Sequence, residues 1–107
     1  MEFNKYQRAA MRTNDSKNES EMFLNAILGL NGETGEISDL VKKYYFQGHE
    51  WDVKKVIDEL GDVLWYCALL AESLGYDLNQ VARLNIKKLK NRYPNGFEKE
   101  KSIERTK

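Results

Sequence analysis

The chain is 107 residues long, about one domain, and its 17 basic and 17 acidic side chains cancel. Zero net charge argues against an electrostatic nucleic-acid binder, which needs a strongly basic face, yet leaves room for a small anionic ligand held through a metal. No apolar run approaches the length of a membrane span, and the single cysteine, Cys67, has no partner for an internal disulfide. The opening Met1-Glu2-Phe3-Asn4-Lys5-Tyr6 lacks the charged-then-apolar order of a signal peptide. Together these features point to a soluble, cytoplasmic protein.

In chain order, the spacing predicts a short helix from about Phe3 to Arg12, ended by Asn14-Asp15-Ser16. A long helix follows from about Glu19 to Phe46, with Ile27, Leu30, Ile37, Leu40, Val41 and Tyr44 at helical spacing. Gly29, Gly32 and Gly35 sit inside it at a cost in helix stability. They imply a close approach by another backbone or a ligand, or a kink. Gln47-Gly48-His49-Glu50-Trp51 reads as a connection, with Asp52 capping a third helix that runs to about Leu74. Its apolar stripe is centred on Leu60. Gly75 is a natural stop. Asp77, with Gln80 three residues on, caps a fourth helix to about Arg92. Pro94-Asn95-Gly96 ends it. The expected architecture is all-α: a bundle of about four helices in residues 1–97, with a long antiparallel helix pair, completed by oligomerisation. Residues 98–107 form a charged tail expected to fray.

Two acid pairs stand out, Glu33 with Glu36 and Glu59 with Asp62. Each is spaced i, i+3, which puts both carboxylates on one helix face, where they repel unless a cation lies between them. In an antiparallel pair, facing residues have numbers of constant sum. Glu36 with Glu59 and Glu33 with Asp62 share one sum, and it centres the turn between Gln47 and Gly48, where the loop was placed independently. All four carboxylates therefore reach one level. At about 100° per residue, Glu33 lies only about 40° from Ile37 on the apolar stripe, a costly place for an ionised side chain without a partner. Glu59, Asp62 and Tyr66 cluster roughly 120° from Leu60, beside the core. The competing explanation is salt bridging to Lys42, Lys43, Lys54 and Lys55. Oxygen-only ligands without histidine select a hard cation such as Mg²⁺, Mn²⁺ or Ca²⁺. The chemistry this suggests is metal-assisted attack of water on phosphorus, with a free carboxylate accepting the proton. A di-iron carboxylate bundle needs Glu-x-x-His pairs, which the chain lacks.

The stretches Gly32-Glu33-Thr34-Gly35-Glu36 and Asp58-Glu59-Leu60-Gly61-Asp62-Val63-Leu64-Trp65-Tyr66 resemble the MazG-like nucleotide pyrophosphohydrolases. Asn85-Ile86-Lys87-Lys88-Leu89-Lys90-Asn91-Arg92-Tyr93-Pro94 is similar to the basic end of that domain, and Leu28-Gly29-Leu30 to the stretch before its first acid pair. The resemblance covers roughly Tyr6 to Phe97. It implies an all-α bundle assembled as a homodimer or homotetramer, with sites near the subunit interface. It also implies hydrolysis of a nucleoside triphosphate to a monophosphate and pyrophosphate, in nucleotide-pool sanitation, with Mg²⁺ as cofactor and Mn²⁺ as a possible substitute. By position, Glu33, Glu36, Glu59 and Asp62 would be the metal ligands and catalytic residues. Lys43, Asn85, Lys88 and Arg92 would contact phosphate or sugar, and Tyr66 would line the base pocket. Lys88 and Arg92 lie i, i+4 with Asn85 one turn earlier, a donor strip suited to phosphate or an ordinary basic helix end.

Narrower relatives remain as alternatives: a dUTP or dCTP hydrolase, or a phosphoribosyl-ATP hydrolase. So does a non-catalytic helical interaction module, which a degenerate acid set would have favoured. No membrane or nucleic-acid partner is expected. His49 is read as an exposed loop residue and Trp65, off the apolar stripe, as part of a subunit interface. Cys67 is read as a small core hydrophobe. The preferred base and sugar are not readable from one sequence.

Overall fold

A computed structural model describes residues 1–105. The order is α1 (Phe3–Ala10), a 3₁₀ turn (Met11–Thr13), α2 (Glu19–Phe46), α3 (Val53–Ser73), α4 (Leu78–Arg92) and α5 (Lys99–Arg105). No strand occurs among the described residues. The first helix is shorter than expected, because Arg12 falls in the 3₁₀ turn.

Local chemistry sets the helix boundaries. Asn18 caps α2 by accepting from the Glu21 backbone N–H at 2.8 Å, two residues beyond the Asx turn in which Asn14 accepts from the Ser16 N–H. Asp52 caps α3 as expected, accepting from the Lys55 N–H at 3.3 Å. Asp77 and Gln80 make the reciprocal capping box of α4, at 2.7 and 2.9 Å. Gly75 ends α3 with φ 75°, a backbone conformation that a side chain would resist. The tail beyond Phe97, read as frayed, is helical from Lys99 to Arg105, with a weak Lys101–Glu104 ion pair at 4.0 Å. Lysine and glutamate are good helix formers, which explains a short helix there.

The helix α2 runs unbroken through all three of its glycines. Only Gly29 meets a neighbour: a Cβ placed there would collide with Cδ1, Cε1 and Cζ of the Tyr66 ring, whereas one at Gly32 or Gly35 would meet nothing within 4 Å. Gly29 with Tyr66 has the same number sum as Glu33 with Asp62, and so do Ala26 and Leu69, both fully buried. The α2–α3 register read from the acids is therefore the register of the hairpin core.

The first helix is tied to the α3–α4 junction by Gln7, which is 5 % exposed. Its amide Nε2 donates to Glu72 and to the Tyr76 carbonyl, both at 3.1 Å, and its Oε1 accepts from the Leu78 N–H at 2.7 Å. A buried amide with its polar atoms paired costs little and fixes geometry. Near the other end of α1, the Trp65 indole N–H donates to the Ala10 carbonyl and to Thr13 Oγ1, both at 3.0 Å. Trp65, read as an interface residue, is thus half-buried within the chain and anchors the first helix.

The buried apolar core is small: Ala26, Ala68, Leu69, Ala71 and Leu78. The stripe on α3 that sequence marked as core is largely uncovered, with Leu60 52 % and Ile57 57 % exposed. The radius of gyration is 17.0 Å, against about 13 Å for a compact domain of about 100 residues. The accessible surface is 8315 Å², well above the roughly 6,200 Å² of a folded monomer of this mass.

Candidate metal centre

The hairpin brings three of the four acids together. One carboxylate oxygen each from Glu33, Glu59 and Asp62 lies within 4.8 Å of the others. Glu33 comes from α2, and Glu59 and Asp62 from successive turns of one face of α3. Glu33 and Glu59 are half-buried and Asp62 is exposed. Glu36, one turn past Glu33, is exposed and does not join the group.

These acids are not neutralised by neighbouring lysines. Lys42 and Lys43 both pair with Asp39, at 3.5 and 2.9 Å. Among the described residues, no ion pair reaches Glu33, Glu59 or Asp62. Glu33 lies close enough to accept a hydrogen bond from a protonated Glu59, and this raises the Glu59 carboxyl above its ordinary value. Partial burial and the charges of Glu33, Asp62 and Asp58 push it the same way. A carboxyl raised by a second carboxylate beside it is one of the two states of such a pair, and a divalent cation favours the other.

The pH dependence follows from this sign. In the metal-free protein, the protonated Glu59 is favoured by folding, so its contribution is fully present below the ordinary glutamate value of 4.5. It is lost as pH rises through the raised value. A divalent cation held here would require the deprotonated form and would release the proton. Melting temperature without metal is therefore expected to fall over this window while the increment given by Mg²⁺ grows. Thermal melts in EDTA and in Mg²⁺ across the window measure both, and parallel curves would contradict the assignment.

The other expected site residues are not members of the three-acid group. Lys43 is held by Asp39, and this pair raises its ammonium above the ordinary value. It lies ten residues past Glu33, about 15 Å along the helix. At the loop end it joins His49, Trp51 and Lys55 around a small cavity of about 140 Å³. Asn85 and Lys88 line a mainly apolar groove of about 540 Å³ between α3 and α4, with Cys67 and Leu70 on the opposite wall. Arg92 is half-buried at the end of α4. Tyr66, expected at a base pocket, sets its ring into the notch left by Gly29 and meets Trp65 edge to face at 5.0 Å.

Sequence reasoning passed over Tyr6. It packs on the Ala68–Ala71–Leu78 cluster, and burial, then the charge of Asp62, raises its phenol above the ordinary value. That places it on the Asp62 side of α3. It passed over Gln7 as well, although Phe3, Tyr6, Gln7 and Ala10 form one i, i+3, i+4, i+7 stripe with a polar residue in its middle.

Fold and site define an all-helical protein with a group of carboxylates built across an antiparallel helix pair. The MazG nucleotide pyrophosphohydrolase domain matches residues 22–97. That is most of the chain, which therefore belongs to this family. A curated relative, the Gene 37 protein of Mycobacterium phage L5, is 40% identical over 76 residues. The match covers 64% of this chain, which spans only 64% of the length of that relative. No solved structure matches. No helix among the described residues is long and apolar enough to cross a membrane.

Proposed function

We propose that the chain is a Mg²⁺-dependent nucleoside triphosphate pyrophosphohydrolase that converts a triphosphate and water to a monophosphate and pyrophosphate. The observation that carries this reading is the Glu33–Glu59–Asp62 group, two of its carboxylates half-buried and none with a counter-ion among the described residues, in a member of a nucleotide pyrophosphohydrolase family. The donor set is all carboxylate oxygen, which fits Mg²⁺, with Mn²⁺ as substitute. Glu33, Glu59 and Asp62 would hold the metal, which when bound neutralises phosphate oxygens and polarises the phosphorus under attack. Glu36, exposed one turn away, is the carboxylate free to complete the ligand set or to take the proton of the attacking water. Water oxygen bonds to the α-phosphorus, the bond from that phosphorus to the bridging oxygen breaks, and pyrophosphate leaves. Asn85, Lys88 and Arg92 supply donors for the phosphates, and Lys43 a further cation nearer the loop. Incubating the protein with ribo- and deoxynucleoside triphosphates and Mg²⁺ tests the reading. Monophosphate and pyrophosphate, lost on adding EDTA, are expected. A strong preference for dUTP or dCTP would point to one of the narrower relatives.

The reading includes a homo-oligomer. The exposed α3 stripe and Leu28, 69 % exposed on α2, form apolar surface that a monomer of this size leaves to water at a cost. Sedimentation is expected to give at least twice the chain mass of 12.5 kDa. Changing Ile57 and Leu60 to lysine together is expected to give monomers. A wild-type monomer at micromolar concentration would contradict this.

A further inference from the structure

We propose that Trp65 is a positioning residue for the metal site: it couples the seat of α1 to the helix spacing on which the carboxylate group depends. The inference rests on the reading that Glu33, Glu59 and Asp62 hold the metal. The first helix lies outside the segment that matches the family, 22–97. It is nonetheless bonded to the turn of α3 that follows Asp62.

The coupling is a chain of contacts. The Trp65 N–H is shared between the Ala10 carbonyl and Thr13 Oγ1, which restrains the indole at its polar edge. The indole meets the Tyr66 ring nearly at right angles, 87°, with centroids 5.0 Å apart. The Tyr66 ring fills the Gly29 notch in α2. Gly29 lies one turn before Glu33, and Tyr66 one turn after Asp62, in the same register as those two acids. The Tyr66–Gly29 contact is therefore the spacer that sets how far apart α2 and α3 hold their carboxylates. Trp65 braces the spacer, and α1 braces Trp65. Groups that orient ligands in this way set metal affinity without touching the metal.

The second attachment of α1, through Gln7, is a built-in control. It reaches Glu72, Tyr76 and Leu78, at the far end of α3. That end is ten residues past Asp62, about 15 Å along the helix. Loosening α1 there removes stability without touching the spacer.

The test is Mn²⁺ binding, read from the spectrum of the free ion, for the full chain and three variants well below their melting temperatures. Trp65→Phe keeps a ring and removes the N–H. Its Mn²⁺ affinity is expected to fall roughly tenfold, the low end for groups that orient metal ligands. Thr13→Val alters no residue of α3 and is expected to give a smaller loss in the same direction. It decides the matter if Trp65→Phe does not fold. Gln7→Met is expected to lower the melting temperature while leaving Mn²⁺ affinity unchanged. Wild-type affinity in the folded Trp65→Phe and Thr13→Val variants would overturn the inference alone. So would an equal loss in Gln7→Met, which would mean general loosening. A wild-type chain that binds no Mn²⁺ would overturn the metal-site reading and this inference with it.

Discussion

Replacing Glu59 with glutamine is expected to reduce triphosphate hydrolysis by roughly a hundredfold or more, while the metal-free protein melts no lower than wild type. The two halves of this result come from one geometry. Glu59 lies beside Glu33, to which only its protonated form can donate a hydrogen bond, and Asp62 on its own helix face. In the metal-free protein these are like charges without a compensating ion pair, so ionised Glu59 opposes folding. Glutamine keeps the size, removes the charge and can donate to Glu33. Stability is therefore held or gained. Metal binding loses one of three carboxylates, and even groups that merely orient ligands cost about 10- to 100-fold. Activity lost with stability kept is the signature of a site whose strain serves binding. If Glu59 were only part of a solvated acidic face, the variant would keep both.

The second large effect is expected at Gly29. A Cβ there would collide with Cδ1, Cε1 and Cζ of the rigid Tyr66 ring rather than with a flexible tip. Either the ring leaves its notch or the helices separate. Overpacking of this kind costs about 1–3 kcal/mol, against a gain of about 1 kcal/mol from replacing glycine with alanine inside a helix. Gly29→Ala is therefore expected to melt below wild type and to bind metal more weakly, because the acids one turn away share the same helix spacing. Gly32→Ala provides the contrast. Nothing lies within 4 Å of its Cβ, so it is expected to gain about 1 kcal/mol of stability. A Gly29→Ala variant that gains stability to the same extent would mean that the Tyr66 contact does not set the spacing.

Much of this architecture is legible in the sequence because it depends on local rules. The caps at Asp52 and Asp77 and the stop at Gly75 follow from short-range hydrogen bonding and backbone freedom. The hairpin register follows from two acid spacings and one loop, and it extends along the pair to Gly29–Tyr66 and Ala26–Leu69. Other features are long-range and carry little local signal. Gln7 binds residues more than sixty positions away, and Trp65 binds the end of α1 across a similar gap. The apolar stripe around Leu60 identifies a face that needs cover, but periodicity is silent on whether the cover comes from the same chain. Within the chain the core lies instead on the alanine-rich turns around Leu69. Among the acids, spacing treats Glu33 and Glu36 alike. Side-chain reach across the hairpin separates them, bringing Glu33 to Glu59 and Asp62 and leaving Glu36 in solvent.

In the proposed reaction, water activated at this carboxylate group attacks the α-phosphorus of a nucleoside triphosphate. Hydrolysis in ¹⁸O-labelled water with Mg²⁺, followed by mass analysis of the products, tests it most directly. The label is expected in the nucleoside monophosphate, with unlabelled pyrophosphate and turnover by Glu59→Gln reduced by about a hundredfold or more. Label in the pyrophosphate, release of inorganic phosphate instead, or equal turnover by the variant would contradict it.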